Sequence, residues 1–434
     1  MIGKRRGSGH AASSRLFDNP FPAGVLAFPV NRCPYAILGR NALSTAELPG
    51  AGHMVTFRPL GLIALSAVMV LAYASGLAMP FNMQAVLMHF QTTNTVAGAI
   101  SAGELLAISL TSFFAARYAG RIDVRRALTA GIIVIVLANL ATTLVSNIVL
   151  LAAVRVIAGC GAGPVIALVM SLAGRSDNPR VTFGATNSAI GVIGMFLAVG
   201  VPTVLAAYGM AGAYAVYAAL AVLALPLVAL VPAPPPVAHT AGQPVEVPKI
   251  PGVGWAALIG LALILLGNGV LMMLIFIIGT DRHIPPTTLK LIFFIASFVM
   301  AIGPMLAGYL GSKVSATGPI AIILLALVVC AYLLANLNGS VPYIICGPLF
   351  AFLPIIMLPI ALAALSMVDP SGRTAGTFPA FMTFAAAFAP FIGGRTADMG
   401  GYPAVGWVSI ACIIGGGLLM ARLALLADRI RRAG

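Results

Sequence analysis

Charge is scarce in this sequence. Of 434 residues only 8% are Asp, Glu, Lys or Arg, while 60% are hydrophobic. An ordinary soluble domain carries about 25% charged residues. So large a deficit excludes a water-soluble globular protein, because even a large core needs a polar surface around it. Cysteine is scarce too. Cys33, Cys160, Cys330, Cys346 and Cys412 form no C-x-x-C, and four of them fall inside apolar runs. They read as small packing residues rather than disulfide partners or metal ligands. The five histidines are scattered, so no metal site and no cofactor is expected. No G-x-x-x-x-G-K-[ST] phosphate loop is present, which argues against a primary pump. No cluster of carboxylates, histidines or nucleophiles points to an enzyme. The apolar runs are continuous rather than alternating, which argues against a membrane β-barrel.

What is there is a series of apolar runs near twenty residues long, each able to cross a bilayer core as a helix. Twelve are read: 59–84, 95–116, 127–146, 149–172, 182–207 and 212–231, then 253–279, 288–310, 317–336, 341–367, 374–394 and 403–426. Between the sixes lies Val231–Gly252, with prolines at 232, 234, 235, 236, 244, 248 and 251. Proline at this density cannot continue a helix and favours a semi-rigid extended chain. The expected organisation is therefore a tail at 1–53, a six-helix unit at 54–231, a linker at 232–252 and a second six-helix unit at 253–430. The tail has a basic start but no apolar segment to make a signal peptide. Two readings stand for it: a disordered cytoplasmic extension, or a stretch ahead of a natural start at Met54.

Formal net charge is +14. In a soluble protein that would point to nucleic acid; here it is a matter of topology, and no nucleic-acid partner is expected. With the N-terminus inside, only Arg282, Lys290 and Arg395 fall on the outer side, and Arg155 alone lies within a span. Every other Lys and Arg is on the inner side, as the positive-inside rule requires. An odd number of spans would scramble this pattern. Both termini and the linker are expected in the cytoplasm. The short outer loops fit a bacterial inner membrane.

Three stretches resemble a known family. Ala116–Leu128, between spans 2 and 3, resembles the major facilitator superfamily signature G-x-L-A-D-R-x-G-R-R-x-x-L. Arg121, Arg125 and Leu128 match it with Arg126 beside them, Gly120 stands where the family has Asp, and Asp123 stands as a displaced carboxylate. Gly308–Lys313 looks like the weaker copy in the family's second half. Arg155–Pro164, reading RVIAGCGAGP, resembles the R-x-x-x-G-x-G-x-G pattern of the fourth helix, with Gly159, Gly161 and Gly163 in place and Pro164 after them. Small residues there let a neighbouring helix approach closely. The resemblance implies an all-α membrane protein of twelve transmembrane helices in two pseudo-symmetric six-helix bundles.

Two ionisable residues lie deep within spans, where each costs about 2.5–3.5 kcal/mol and defaults to a functional role. Counted by helical rise from the outer ends of their spans, Glu104 lies roughly 16 Å deep and Arg155 roughly 12 Å deep. Similar depth allows a pair, with Glu104 carrying a proton and Arg155 tuning its affinity. The other reading is a structural ion pair. In the superfamily, spans 1, 4, 7 and 10 line the central cavity. That implies Tyr73, Asn82 and Gln84 in span 1 and Asn268 in span 7 as cavity residues, with Asn187 added from span 5. For Asn268 an interhelical hydrogen bond stands beside substrate binding. Few cavity charges favour a neutral, lipophilic or weakly cationic small molecule.

The leading expectation is a secondary transporter working by alternating access, exporting its substrate against protons. Its partners are the substrate, protons and the lipid bilayer, with no obligate protein partner. Uptake of a small organic anion by symport, and a transport-inactive sensor on the same fold, stand as alternatives.

Overall fold

A computed structural model describes residues 56–118, 122–177, 179–232, 251–310, 317–368 and 373–433. The tail at 1–53, most of the linker, Arg121 and the stretch 311–316 lie outside the described residues. The elements are all α-helices: α1 (Pro59–Ala72), α2 (Ala74–Leu77), α3 (Met79–Phe90), α4 (Asn94–Tyr118), α5 (Val124–Leu144), α6 (Ile148–Gly174), α7 (Pro179–Val228), α8 (Gly252–Asp281), α9 (Pro286–Leu310), α10 (Thr317–Asn336), α11 (Ser340–Val368) and α12 (Arg373–Ala433).

Two of these are double crossings. α7 has 50 residues and α12 has 61, so each would run 75 Å or more if straight, at about 1.5 Å per residue. Each is interrupted by a glycine at positive φ, Gly209 at 63° and Gly401 at 70°, a conformation that L side chains avoid. The chain reverses there. Arg125 Nε, at the start of α5, donates to the carbonyl of Val231 just past the end of α7 (3.0 Å). At the other reversal, Asp398 meets the start of α4, while Asp428 further along α12 accepts from Thr317 N at the start of α10 (3.1 Å). These contacts place the end of α7 beside the start of α5, and the end of α12 beside the start of α10. We call the face that carries Arg58, Arg125 and Arg126 the basic face.

The first crossing is not one continuous helix. Tyr73 and Ala78 leave helical dihedrals, separating α1, α2 and α3. Pro80 accounts for the departure at Ala78: it has no N–H to offer the Gly76 carbonyl one turn back, and its ring crowds that carbonyl. The Asn82 amide donates to the neighbouring Ser75 carbonyl (2.8 Å) and ties α3 to α2. The crossing also runs on to Phe90, beyond the end at 84 that hydropathy indicates. With α1–α3 as one crossing and α7 and α12 as two each, the twelve expected crossings are present.

The first six crossings meet the last six along two seams, α4 against α12 and α7 against α9. Phe81 of α3 adds a third contact. Its ring lies 5.0 Å from Phe276 of α8 and 4.7 Å from Phe293 of α9, centroid to centroid.

Candidate functional site

α6 begins with a side-chain cap, the Asn147 oxygen accepting from the backbone N–H of Val149 (2.8 Å). Two turns on, Arg155 points between α4 and α5. One further turn places Gly159 on the same face, where a Cβ would stand 2.4 Å from the carbonyl oxygen of Glu104. Gly163 does the same a turn later, with the Ile108 carbonyl 2.6 Å from where its Cβ would be. Gly161 faces α5 instead, against the Gly131 carbonyl. Pro164 sits inside α6, so the Cys160 carbonyl one turn back lacks its usual N–H donor. The glycines thus bring the backbones of α4, α5 and α6 together around Arg155.

In that space Arg155 and Glu104 form a two-pronged ion pair. Nη2 donates to Glu104 Oε1 at 2.5 Å and Nε to Oε2 at 3.0 Å. Arg155 is 1% exposed and Glu104 3%. Nη1 also donates to Asn139 Oδ1 (2.9 Å) and, more weakly, to Thr142 Oγ1 (3.4 Å), while Nη2 reaches Ser75 Oγ (3.4 Å). The guanidinium carbon lies 4.8 Å from the centroid of the Tyr214 ring, a cation–π arrangement. Tyr217, edge-on to Tyr214, donates its hydroxyl to Asn82 Oδ1 (2.8 Å).

All five N–H donors of the guanidinium therefore have partners. This satisfies the condition under which a buried ion pair can be kept. It also leaves Arg155 no donor for an anionic ligand while Glu104 is in place. Protonation or withdrawal of Glu104 would free Nε and one N–H of Nη2. These partners come from α2, α4, α5 and α7, all before the linker.

The chain was compared with known families and structures. The model of the Major Facilitator Superfamily matches residues 64–368. The chain belongs to the major facilitator superfamily. Its fold is shared with a crystal structure of a mutant peptide transporter POT in complex with sulfate, at TM-score 0.65 and 13% identity over 86% of this chain and 96% of that one. No curated protein matches the sequence. A superfamily transporter is a multi-pass membrane protein that moves small molecules, and that general function is assigned to this chain.

Within this superfamily member the other sequence candidates fall in different places. Asn82 joins the network around Arg155. Tyr73 is half-buried at the break in the first crossing, folded over Gly76. Gln84 is buried, and its Oε1 has no partner among the described residues. Asn187 donates to the Phe183 carbonyl in its own helix (2.8 Å), and Asn268 donates across to the Phe350 carbonyl of α11 (2.7 Å). In the signature loop, Asp123 is the N-cap of α5, accepting from Arg126 N (3.1 Å), with the Arg126 side chain beside it (3.5 Å). Arg125 ties α5 to the end of α7. Asn139, Thr142, Tyr214 and Tyr217 were not singled out by sequence. The i, i+3 spacing of Asn139 with Thr142 and of Tyr214 with Tyr217 was the available sign that each pair shares a helix face.

Proposed function

We propose that this chain is a proton-coupled secondary transporter that exports a small neutral or lipophilic compound. Glu104 carries the proton and Arg155 sets its proton affinity. The supporting observation is the buried Glu104–Arg155 pair, closed at 2.5 and 3.0 Å in a part of the protein where an ionisable group needs a reason. Transport would alternate between the closed pair and a parted one, so that each cycle takes up and releases a proton. The saturated guanidinium favours a substrate without a strong negative charge. Tyr73, Gln84, Asn187 and Asn268 stand with Asn82 as the polar groups offered to it. Residues 54–231 and 253–430 act as two rocking bundles tethered by the linker at 232–252. The membrane is a bacterial inner membrane, with both termini on its cytoplasmic side.

The test is purified protein in proteoliposomes with a pH-sensitive dye inside. It is challenged with a panel of neutral, cationic and anionic compounds. A neutral or cationic compound should drive proton movement, and Glu104→Gln should abolish it. Proton movement unchanged in Glu104→Gln removes Glu104 from the mechanism. A response confined to anions favours the symport alternative, in which protonation of Glu104 frees Arg155 for the substrate.

A further inference from the structure

The first turn of α4 is completed by a residue from the other half of the chain. A helix N-terminus leaves four N–H groups without intrahelical partners. Here Asp398, just before the reversal at Gly401 in α12, takes two of them. Asn94 N donates to its Oδ1 (3.1 Å) and Thr95 N to its Oδ2 (2.6 Å). The side chains of the same residues add Asn94 Nδ2 to Oδ1 (2.8 Å) and Thr95 Oγ1 to Oδ2 (2.6 Å). Thr93 Oγ1 accepts from a third, Val96 N, and the Thr93 carbonyl takes the first intrahelical bond, from Ala97 N. A carboxylate at this end also meets the positive pole of the helix.

The seam beside this contact is tight. A Cβ on Gly98 would stand 2.2 Å from the Pro390 carbonyl oxygen, and one on Gly394 2.1 Å from that of Asn94. Two further links between the halves lie toward the same face, opposite the basic one, while the α7–α9 seam also closes nearer the basic face, where a Cβ on Gly191 would stand 2.2 Å from Ala301 N. The two links are the Phe81, Phe276 and Phe293 cluster and the bond from Lys290 Nζ to Thr203 Oγ1 (2.9 Å).

We propose that Asp398 is the latch that holds the halves closed at the face opposite the basic one, and that through α4 it keeps Glu104 seated against Arg155. The second clause rests on the reading of Glu104 as the proton carrier; the first does not. Roughly 15 Å of helix separates Asn94 from Glu104. Arg155 is anchored independently by Asn139, Thr142, Ser75 and the Tyr214 ring. Both Glu104 oxygens are taken by Arg155. When the latch parts, α4 loses the cap on its first turn, and Glu104 rather than Arg155 is the partner free to shift. Asp398 is thus a positioning residue, acting on the pair through a helix.

Hydrogen–deuterium exchange of the full chain in lipid nanodiscs tests the latch without any substrate. Asp398→Asn and Gly98→Ala attack the same seam by different routes, one at the carboxylate and one at the close approach. Both should speed exchange in residues 94–104 by about three- to tenfold, the range expected for weakening a cap at an exposed helix N-terminus. Residues 124–130 at the basic face should not speed up. No change at 94–104, or a uniform rise along the whole chain, overturns the latch. The second clause is read by infrared difference spectroscopy of the carboxyl band that disappears in Glu104→Gln. Its pH midpoint should move in Asp398→Asn, and an unmoved midpoint overturns that clause. If Glu104→Gln transports normally, the coupling reading fails while the exchange result stands on its own.

Discussion

The carbonyl oxygen of Glu104 rests against Gly159, 2.4 Å from where a Cβ would be. The residue that would carry the proton is therefore held at its backbone by the same helix whose Arg155 holds its carboxylate. Gly159→Ala sets two effects against each other. Alanine favours the helix over glycine by about 1 kcal/mol. The new methyl must displace the backbone of α4, with Ala107 Cβ also only 2.9 Å away, and overpacking of this kind costs about 1–3 kcal/mol. The clash should win, because backbone cannot swing aside as a side-chain tip can. Gly159→Ala should lower the unfolding temperature of the purified protein and reduce transport. Unchanged values for both would show that α4 does not pack here as described.

The two ends of the ion pair should not be equally costly to remove. Arg155 cannot shed its charge, so Glu104→Ala strands a buried cation, a loss of about 3–5 kcal/mol. Glu104 can become neutral by taking up a proton, so Arg155→Met should cost less. Replacing both, as Glu104→Leu with Arg155→Met, should return stability near the parent, since well-packed apolar residues often replace buried ion pairs at little cost. Thermal unfolding of the three variants checks the order. Equal losses in the two single variants would mean that the pair is wetter than its burial indicates.

Much of this architecture was legible in the sequence because a bilayer imposes strong rules. Helices must be long and apolar, and Lys and Arg sort to one side. The meeting of Glu104 and Arg155 was legible for a related reason: helical rise converts residue number into depth. The surrounding shell was not. Asn139 and Thr142 are mild polar residues among many in the spans, and nothing in hydropathy tells a buried acceptor from a lipid-facing one. The break at Ala78 depends on how Pro80 is accommodated, which follows from its neighbours rather than from the proline alone. Asp398 was hidden for the opposite reason. A lone acid near a loop reads as solvated, and its partners Asn94 and Thr95 lie a whole chain-half away.

Asn268 offers a direct separation of structure from substrate binding. Its amide already donates to the Phe350 carbonyl across the α8–α11 contact (2.7 Å). Hydrogen bonds between membrane helices are worth about 0.6 kcal/mol on average. Asn268→Leu should therefore lower stability slightly. If the amide is used only for packing, the thermal shift produced by a transported compound should be the same in Asn268→Leu as in the parent. A lost shift with small change in the unliganded protein would place Asn268 on the substrate.

Asp398 should make stability depend on pH in one acidic window. Burial beside α4 disfavours its charge, but the bonds from the side chains and backbones of Thr95 and Asn94 outweigh this and hold its carboxyl below the ordinary Asp value. The unfolded chain therefore binds the proton more readily than the folded one. Stability from this group is complete above the unfolded value, near pH 4, and is lost as pH falls through the lower folded value. Unfolding temperature measured from pH 6 down to pH 3 should show the parent exceeding Asp398→Asn at the upper end. The two should converge as the carboxylate is protonated. A gap that stayed constant to pH 3 would mean that the two bonds donated by side chains, rather than the charge facing the helix N-terminus, hold the seam. The capping account of α4 would then have to be abandoned.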